Sequence, residues 1–363
     1  MTNNDVQSDK IIHKKGSVWS YILKFGLPLV ISVGLCYLLF TGIDFNEMVE
    51  IIRRDCNYGY IALGMFLSIF SHVFRALRWR IQLRALNVRP PLFFLTLSIF
   101  GTYAVNLVFP RLGEVWRSAY IARRQKAPFS AVFGSMVAER LADTVTVALI
   151  TVLAFLLSSR AILSYLSQNT ESYEAIASLL SSPWLWLFVV LCVAFVWWFV
   201  KRRSANPAVV RIQKIIHELW TGFAVIFKMP GKGMWLVWTL CLWGCFFIQM
   251  FVAFFAFPAT TEVFKHYGTA AVLVTFALSS ISMGVPSNGG IGPWQWAVIF
   301  VLGIYGVDAT TAGAFANVVL GSQTMLLIVL GIFTFVCIAI DRRRSPSTNT
   351  VETTNNNIKQ TKQ

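Results

Sequence analysis

The chain has 363 residues, of which 56% are hydrophobic and 13% charged, with a formal net charge of +15 and a mean hydropathy of +0.64. A water-soluble domain cannot hide so large an apolar fraction, so composition excludes the soluble classes and implies an all-α polytopic membrane protein. The positive charge does not call for a nucleic-acid partner, because no nucleic-acid-binding signature accompanies it and basic residues gather in the cytoplasmic loops of membrane proteins.

Residues 1–19 are polar and read as a cytoplasmic N-terminal tail with no cleavable signal peptide. Apolar runs close to the length of about 20 residues that a membrane helix needs then recur at 20–40, 58–77, 92–109, 129–157, 183–200, 234–257, 268–285, 293–307 and 309–340. The expected transmembrane domain is therefore 20–340, followed by a disordered polar tail, 341–363. The longest polar stretch between spans is 201–232, with seven Lys or Arg against one acid. Within it, Val209 to Phe227 has the pattern of an amphipathic helix lying on the cytoplasmic surface.

Loop charge tests this layout. The tail with Lys10, Lys14 and Lys15 starts inside, and the loop 41–57, with four acids against Arg53 and Arg54, fits outside. Arg75, Arg78, Arg80, Arg84 and Arg89 then fit inside. If 92–109 crossed fully, the loop 110–128, with five Lys or Arg and only Glu114, would lie on the wrong side, and every later loop with it. One assumption repairs them all: 92–109 enters the membrane and turns back at "VFPRLGEVWR" (Val108 to Arg117), where Pro110 and Gly113 interrupt the helix.

A second interruption follows the run 268–285, in "VPSNGGIGPWQW" (Val285 to Trp296), with Pro286, Gly289, Gly290 and Gly292. The charge count has the first break approached from the cytoplasm and the second from outside. Paired interruptions in opposite orientation predict inverted repeats with a site near the midplane. The expected architecture is about six full spans plus two Pro/Gly-broken re-entrant hairpins, or eight spans if the first hairpin crosses.

Between the breaks lies "VAERLADTV" (Val137 to Val145), which places Glu139, Arg140 and Asp143 in an apolar helix. An ionised side chain at the bilayer centre costs about 2.5–3.5 kcal/mol on insertion scales, so these residues are expected to face the protein interior. Asp143 is spaced to meet Glu139 or Arg140. Arg111 or Arg117 is expected to pair with Glu139 or Asp143, leaving a basic group for an anionic head group. Half-helix N-termini beyond Gly113 and Gly292 would add backbone donors. Asn106 could satisfy loose carbonyls at the break. His72 and Arg75 are weaker candidates, Arg75 as a residue that snorkels to the surface. An ion-pair cluster that only holds the hairpin is the competing account, compatible with the first.

No cofactor or metal site is expected. Cys36, Cys192, Cys241, Cys245 and Cys337 lie in apolar runs and Cys56 in a loop, none of them beside further ligands at metal spacing. The chain has no GxxxxGK[ST], HExxH or GxSxG sequence, so no ATPase or hydrolase is indicated.

"NLVFPRLGEVWR" and "VAERLAD", followed by "VPSNGGIG", together resemble the lysylphosphatidylglycerol synthase transmembrane region, a flippase-like family of bacteria and archaea, over about residues 20 to 340. In two-domain members this region moves an aminoacylated phospholipid, while a separate soluble domain makes the lipid. The resemblance implies the translocating part alone, without the aminoacyltransferase, and places its site at Asn106, Pro110, Arg111, Gly113, Glu114, Arg117, Glu139, Arg140, Asp143, Pro286, Gly289, Gly290, Gly292 and Gln295. Gln295 departs from the family, which often has an acid soon after the second set of glycines. The expected function is a non-enzymatic lipid translocase or lipid-transport protein of the cytoplasmic membrane, with both termini inside. It would handle an anionic, aminoacylated or glycosylated lipid, with Arg111, Arg117 and Arg140 on the head group and Glu139 and Asp143 balancing them. The alternatives are a membrane subunit that docks a separate lipid- or glycan-modifying enzyme through 209–227, and an intramembrane enzyme using Glu139 or Asp143.

Overall fold

The computed structural model describes residues 44–109, 111–168, 229–285, 287 and 289–344, with Pro183, Leu187 and Leu191 besides. The expected spans 20–40 and (those three residues apart) 183–200, the amphipathic segment 209–227, the tail 1–19, residues 345–363 of the tail 341–363, Pro110 and Pro286 lie outside the described residues, while the first four residues of that tail, expected to be disordered, are helical.

The described residues form helices joined by short turns, with no strand among them, in chain order α1 (Phe45–Asp55), α2 (Tyr58–Ala85), α3 (Leu92–Val108), α4 (Leu112–Arg124), α5 (Phe129–Gln168), α6 (Lys232–Ala253), a 3-10 turn (Phe254–Ala256), α7 (Pro258–Tyr267), α8 (Thr269–Ser282), α9 (Pro293–Ile304) and α10 (Ala309–Arg344). Four are long and apolar enough to cross a bilayer: α2, α5, α6 with its 3-10 turn, and α10. The shorter apolar helices are α3, α8 and α9. The chain is a multi-pass membrane protein. Three helices were not expected from the apolar runs. α1 is started by the Asp44 carboxylate, which accepts from the Asn46 and Glu47 amides at 2.8 and 3.1 Å. α7 starts on Pro258, whose fixed φ suits a first helical position. α4 occupies most of what reads as the basic loop 110–128.

α2 and α6 pack antiparallel: the Asn57 amide donates to the Ala256 carbonyl at 2.8 Å, and Phe74 stacks on Trp238. Each of the two broken regions is a helical hairpin. In the first, α3 and α4 pack together, and the Arg124 guanidinium at the end of α4 lies 3.4 Å over the ring of Phe94 at the start of α3. α4 therefore returns to the level from which α3 set out. In the second, Tyr267 before α8 and Tyr305 after α9 have ring centroids 4.8 Å apart. Legs of 14 and 12 residues in α8 and α9 reach about 21 and 18 Å at 1.5 Å per residue, short of the roughly 30 Å hydrocarbon core.

The hairpins come from opposite faces. Arg124 pairs with Asp341 at the far end of α10, whereas Tyr305 precedes the start of that helix. Their packing is exchanged: α3 lies on α10, the span that follows the second hairpin, and α8 lies on α5, the span that follows the first. The return legs α4 and α9 each pack on their own following span, α5 and α10. This reciprocal arrangement is that of an inverted repeat.

Two apolar cores match the two halves. One packs Trp79, Leu83, Leu95, Ile99, Ile121 and Val132 between α2, α3, α4 and α5. The other joins Phe254, Phe257, Val298, Leu302 and Phe315 at the opposite face. The first hairpin closes tightly because two glycines lie where the helices cross. A Cβ on Gly113 would run into the backbone carbonyl of Thr102, and one on Gly101 into the Trp116 ring.

Candidate functional site

Between the two halves of the first repeat, α2, α4 and α5 enclose a network of charges. α2 is amphipathic in an unusual sense: its buried face carries Ser68, Ser71, His72, Arg75, Arg78 and Gln82 beside Trp79 and Leu83. Charges on a spanning helix turn inward, since lipid offers them no partner. Glu139 and Asp143 sit one turn apart on the buried side of α5. Arg75 bridges both, at 2.9 Å to Glu139 and 3.0 Å to Asp143. Arg78 does the same, at 3.2 Å to Glu139 and 2.8 Å to Asp143. Arg117 from α4 reaches Glu139 at 3.2 Å and stacks 4.6 Å over the Trp79 ring, and the Trp79 indole donates to the Ser135 hydroxyl at 3.0 Å. Arg75, Arg78, Arg117 and Glu139 are all buried, and Asp143 nearly so.

At the rim of this network the pairing loosens. Arg140, with 38% of its side chain exposed, stands 3.9 Å from both Glu114 and Asp143. Asn106 joins the rim from α3. Its carbonyl oxygen accepts from the Gly113 amide at 2.8 Å, and its amide donates to Glu114 at 3.2 Å. The expected role of Asn106 toward loose carbonyls is thus corrected: at the start of α4 the groups in need of partners are N–H donors. The Gly113 amide is thus taken, and the donors expected beyond it belong to later residues of α4.

The alternative of Arg117 or Arg111 as the partner of the carboxylates resolves to Arg117. Arg111 instead precedes α4 in the left-handed conformation, φ 61°, and its guanidinium donates to the Gly284 carbonyl at 2.5 Å. Gly284 follows α8, so this bond joins the tips of the two hairpins. They touch again at Gly289, where a Cβ would fall 2.7 Å from Leu107. Gly289, Gly290 and Gly292 have φ of 64°, 88° and 92°, values that side chains with a Cβ rarely adopt. Arg75, expected to snorkel, is 3% exposed at the centre of the network. Its two carboxylate partners lie 64 and 68 residues away in sequence. Arg78, absent from the sequence-derived site, joins the same carboxylates. The signal for both was the i, i+3 spacing of arginines opposite a helix with acids at i, i+4, matched only once α2 and α5 are side by side.

The second hairpin repeats the design without charge. Gln295 is the third residue of α9, as Glu114 is of α4. Its side-chain oxygen accepts from the Gly292 amide at 3.0 Å and its nitrogen donates to Asn317 on α10. The Gly292 amide is thus taken, and beyond it the Trp294 amide donates to the Gly290 carbonyl at 3.1 Å. Gln295, Asn317 and the glycines form one group, the tip junction a second and the ionic network a third. His72 lies beside the network against Phe100 and Tyr103. Pro110 and Pro286 lie outside the described residues. Among the described residues no cluster of His, Cys, Asp and Glu could hold a metal ion.

The family described as lysylphosphatidylglycerol synthase TM region matches residues 26–331. The chain is 31% identical over 121 residues to a protein named glycosyltransferase AglD, of Haloferax volcanii, a match to 33% of this chain and 19% of that one. It is 23% identical over 126 residues to the UPF0104 membrane protein MJ1595 of Methanocaldococcus jannaschii, covering 34% of this chain and 37% of that one. The matches thus take in well under half of either relative's length. No solved structure matches.

Proposed function

We propose, for a chain that belongs to the lysylphosphatidylglycerol synthase transmembrane region family, that it is a lipid translocase or lipid-transport protein without enzymatic activity of its own. The observation that carries this reading is the meeting of two opposed hairpin tips, Arg111 with Gly284 and Leu107 with Gly289, beside a charge network sealed in the bundle. A barrier of two hairpins that meet at their tips can open to one face and then the other by small rocking motions, while the network offers a polar place for a head group. The hairpins then re-enter from opposite faces, and the face with Arg84, Arg89, Arg123, Arg124 and Lys126 is cytoplasmic by the charge rule.

On this reading the lipid enters beside Arg140, with its head group toward Glu114 and Asn106. Arg75, Arg78 and Arg117 set the potential beneath it, and Glu139 and Asp143 hold those cations in place. Arg111 acts at the tips rather than on the head group. A single phospholipid or glycosylated lipid moves down its own gradient or is coupled to an ion gradient. The AglD relative, named a glycosyltransferase, supports a second reading in which such a membrane unit serves a separate glycan-modifying enzyme.

Leaflet exchange in proteoliposomes tests the proposal, with labelled phosphatidylglycerol and a glycosylated lipid as cargo. The natural chain is expected to speed exchange, and Glu139→Gln and Arg117→Ala to lower the rate at least about ten-fold, which is 1.4 kcal/mol on the barrier. Exchange equal to that of empty vesicles across the panel would refute it.

A further inference from the structure

The charges in the network do not cancel. Arg75, Arg78, Arg117 and Arg140 are linked by contacts of 3.9 Å or less to Glu114, Glu139 and Asp143. Four guanidinium groups face three carboxylates, and His72, packed between aromatic rings, counts as neutral. One positive charge is left over among the described residues. Guanidinium groups packed together with fewer carboxylates than cations repel one another, and a counter-anion relieves that cost. The donors for one are present: Nε and Nη1 of Arg117 and Nε of Arg75 are buried without hydrogen-bond partners.

The position of the surplus is also defined. The inner pairs lie at 2.8–3.2 Å, whereas both contacts of Arg140 are at 3.9 Å, too long for hydrogen bonds. Arg140 is the cation free to exchange a carboxylate for a ligand oxygen. Its helix also presents exposed apolar side chains, Leu141 and Val145.

We infer that the site selects a lipid whose head group carries a single net negative charge at a phosphodiester, with Arg140 as its entry ligand, over phosphomonoester and net-neutral lipids. The inference rests on the translocator reading, and it names the charge class of the cargo at that same site. A phosphodiester cancels the surplus. A phosphomonoester near −2 overshoots it, and a zwitterionic head group leaves it in place.

Competition binding tests this on the full chain in phosphatidylcholine nanodiscs, with a fluorescent phosphatidylglycerol as probe. Unlabelled phosphatidylglycerol is expected to displace the probe about ten-fold better than phosphatidic acid, and better still than added phosphatidylcholine. Charge variants at the rim provide the sharper arm, since they leave the tight inner pairs intact. Glu114→Gln raises the surplus to two and is expected to turn the preference toward phosphatidic acid. Arg140→Gln removes the surplus and is expected to abolish discrimination between phosphatidylglycerol and phosphatidylcholine. Equal displacement by all three lipids, an unchanged order in both variants, or equal competition by soluble glycerophosphoglycerol would overturn the assignment. Because binding is read apart from exchange, a protein that orders the lipids in this way but moves none would sink the translocator reading and leave the site standing.

Discussion

Glu139 lies within 3.2 Å of guanidinium nitrogens from Arg75, Arg78 and Arg117, on helices α2 and α4 that meet only in the folded chain. Removing one member of a buried ionic set breaks its short hydrogen bonds and opens the packed site, at a cost of about 3–5 kcal/mol. Arg75→Ala is therefore expected to lower the thermal unfolding midpoint in detergent far more than Arg54→Ala, whose pair with Asp55 is solvent-exposed. Similar small losses in both variants would contradict the burial of Arg75. At the same scale, Gly113→Ala drives a Cβ into the Thr102 carbonyl. Overpacking of this kind costs about 1–3 kcal/mol. Gly303→Ala on α9 meets nothing within 4 Å and is expected to be tolerated. The acids of α5 were legible in sequence, because charge in an apolar helix is conspicuous. Arg78 was not, because five arginines between 75 and 89 read equally well as a cytoplasmic loop.

At the scale of elements, the first hairpin is held by small residues at its crossing and by capping at its turn. Asn106 ties the end of α3 to the start of α4, and Arg111 ties that turn to the end of α8. A cysteine pair replacing Leu107 and Gly289, joined by a short bifunctional thiol reagent, is expected to cross-link in the resting protein and to stop leaflet exchange until cleaved. Failure to cross-link would place the tips apart. The sequence marked both interruptions through their prolines and glycines, and the helix limits of α3, α8 and α9 follow the apolar runs closely. It hid α4, because a return leg with Glu114, Arg117, Arg123 and Arg124 has the composition of a loop. It hid α1 and α7 for the related reason that short amphipathic helices carry too few apolar residues to stand out.

Across the whole molecule, two helical hairpins that start near opposite ends of α10 are each packed on the span that follows the other. Charge is concentrated in the first repeat, and its counterpart in the second is the neutral pair Gln295 and Asn317. Single cysteines placed at positions 89 and 126 are expected to react with an impermeant thiol reagent from one side only. Those at positions 267 and 308 should react only from the other. Reaction of 89 and 126 from opposite sides would mean that the first hairpin crosses the membrane.

The sequence by itself determined the membrane class, the positions of the long apolar helices and the two interruptions. Hydrophobic run length and helix-breaking residues are local properties that survive any change of tertiary context. Only the tertiary structure decided how the charges are paired. The partners of Glu139 come from α2 and α4, 64 residues before it and 22 residues before it, and no local pattern fixes which faces meet. It also moved Arg111 from the ionic network to the hairpin tips, because its hydrogen-bond partner there, the Gly284 carbonyl, lies 173 residues away in sequence.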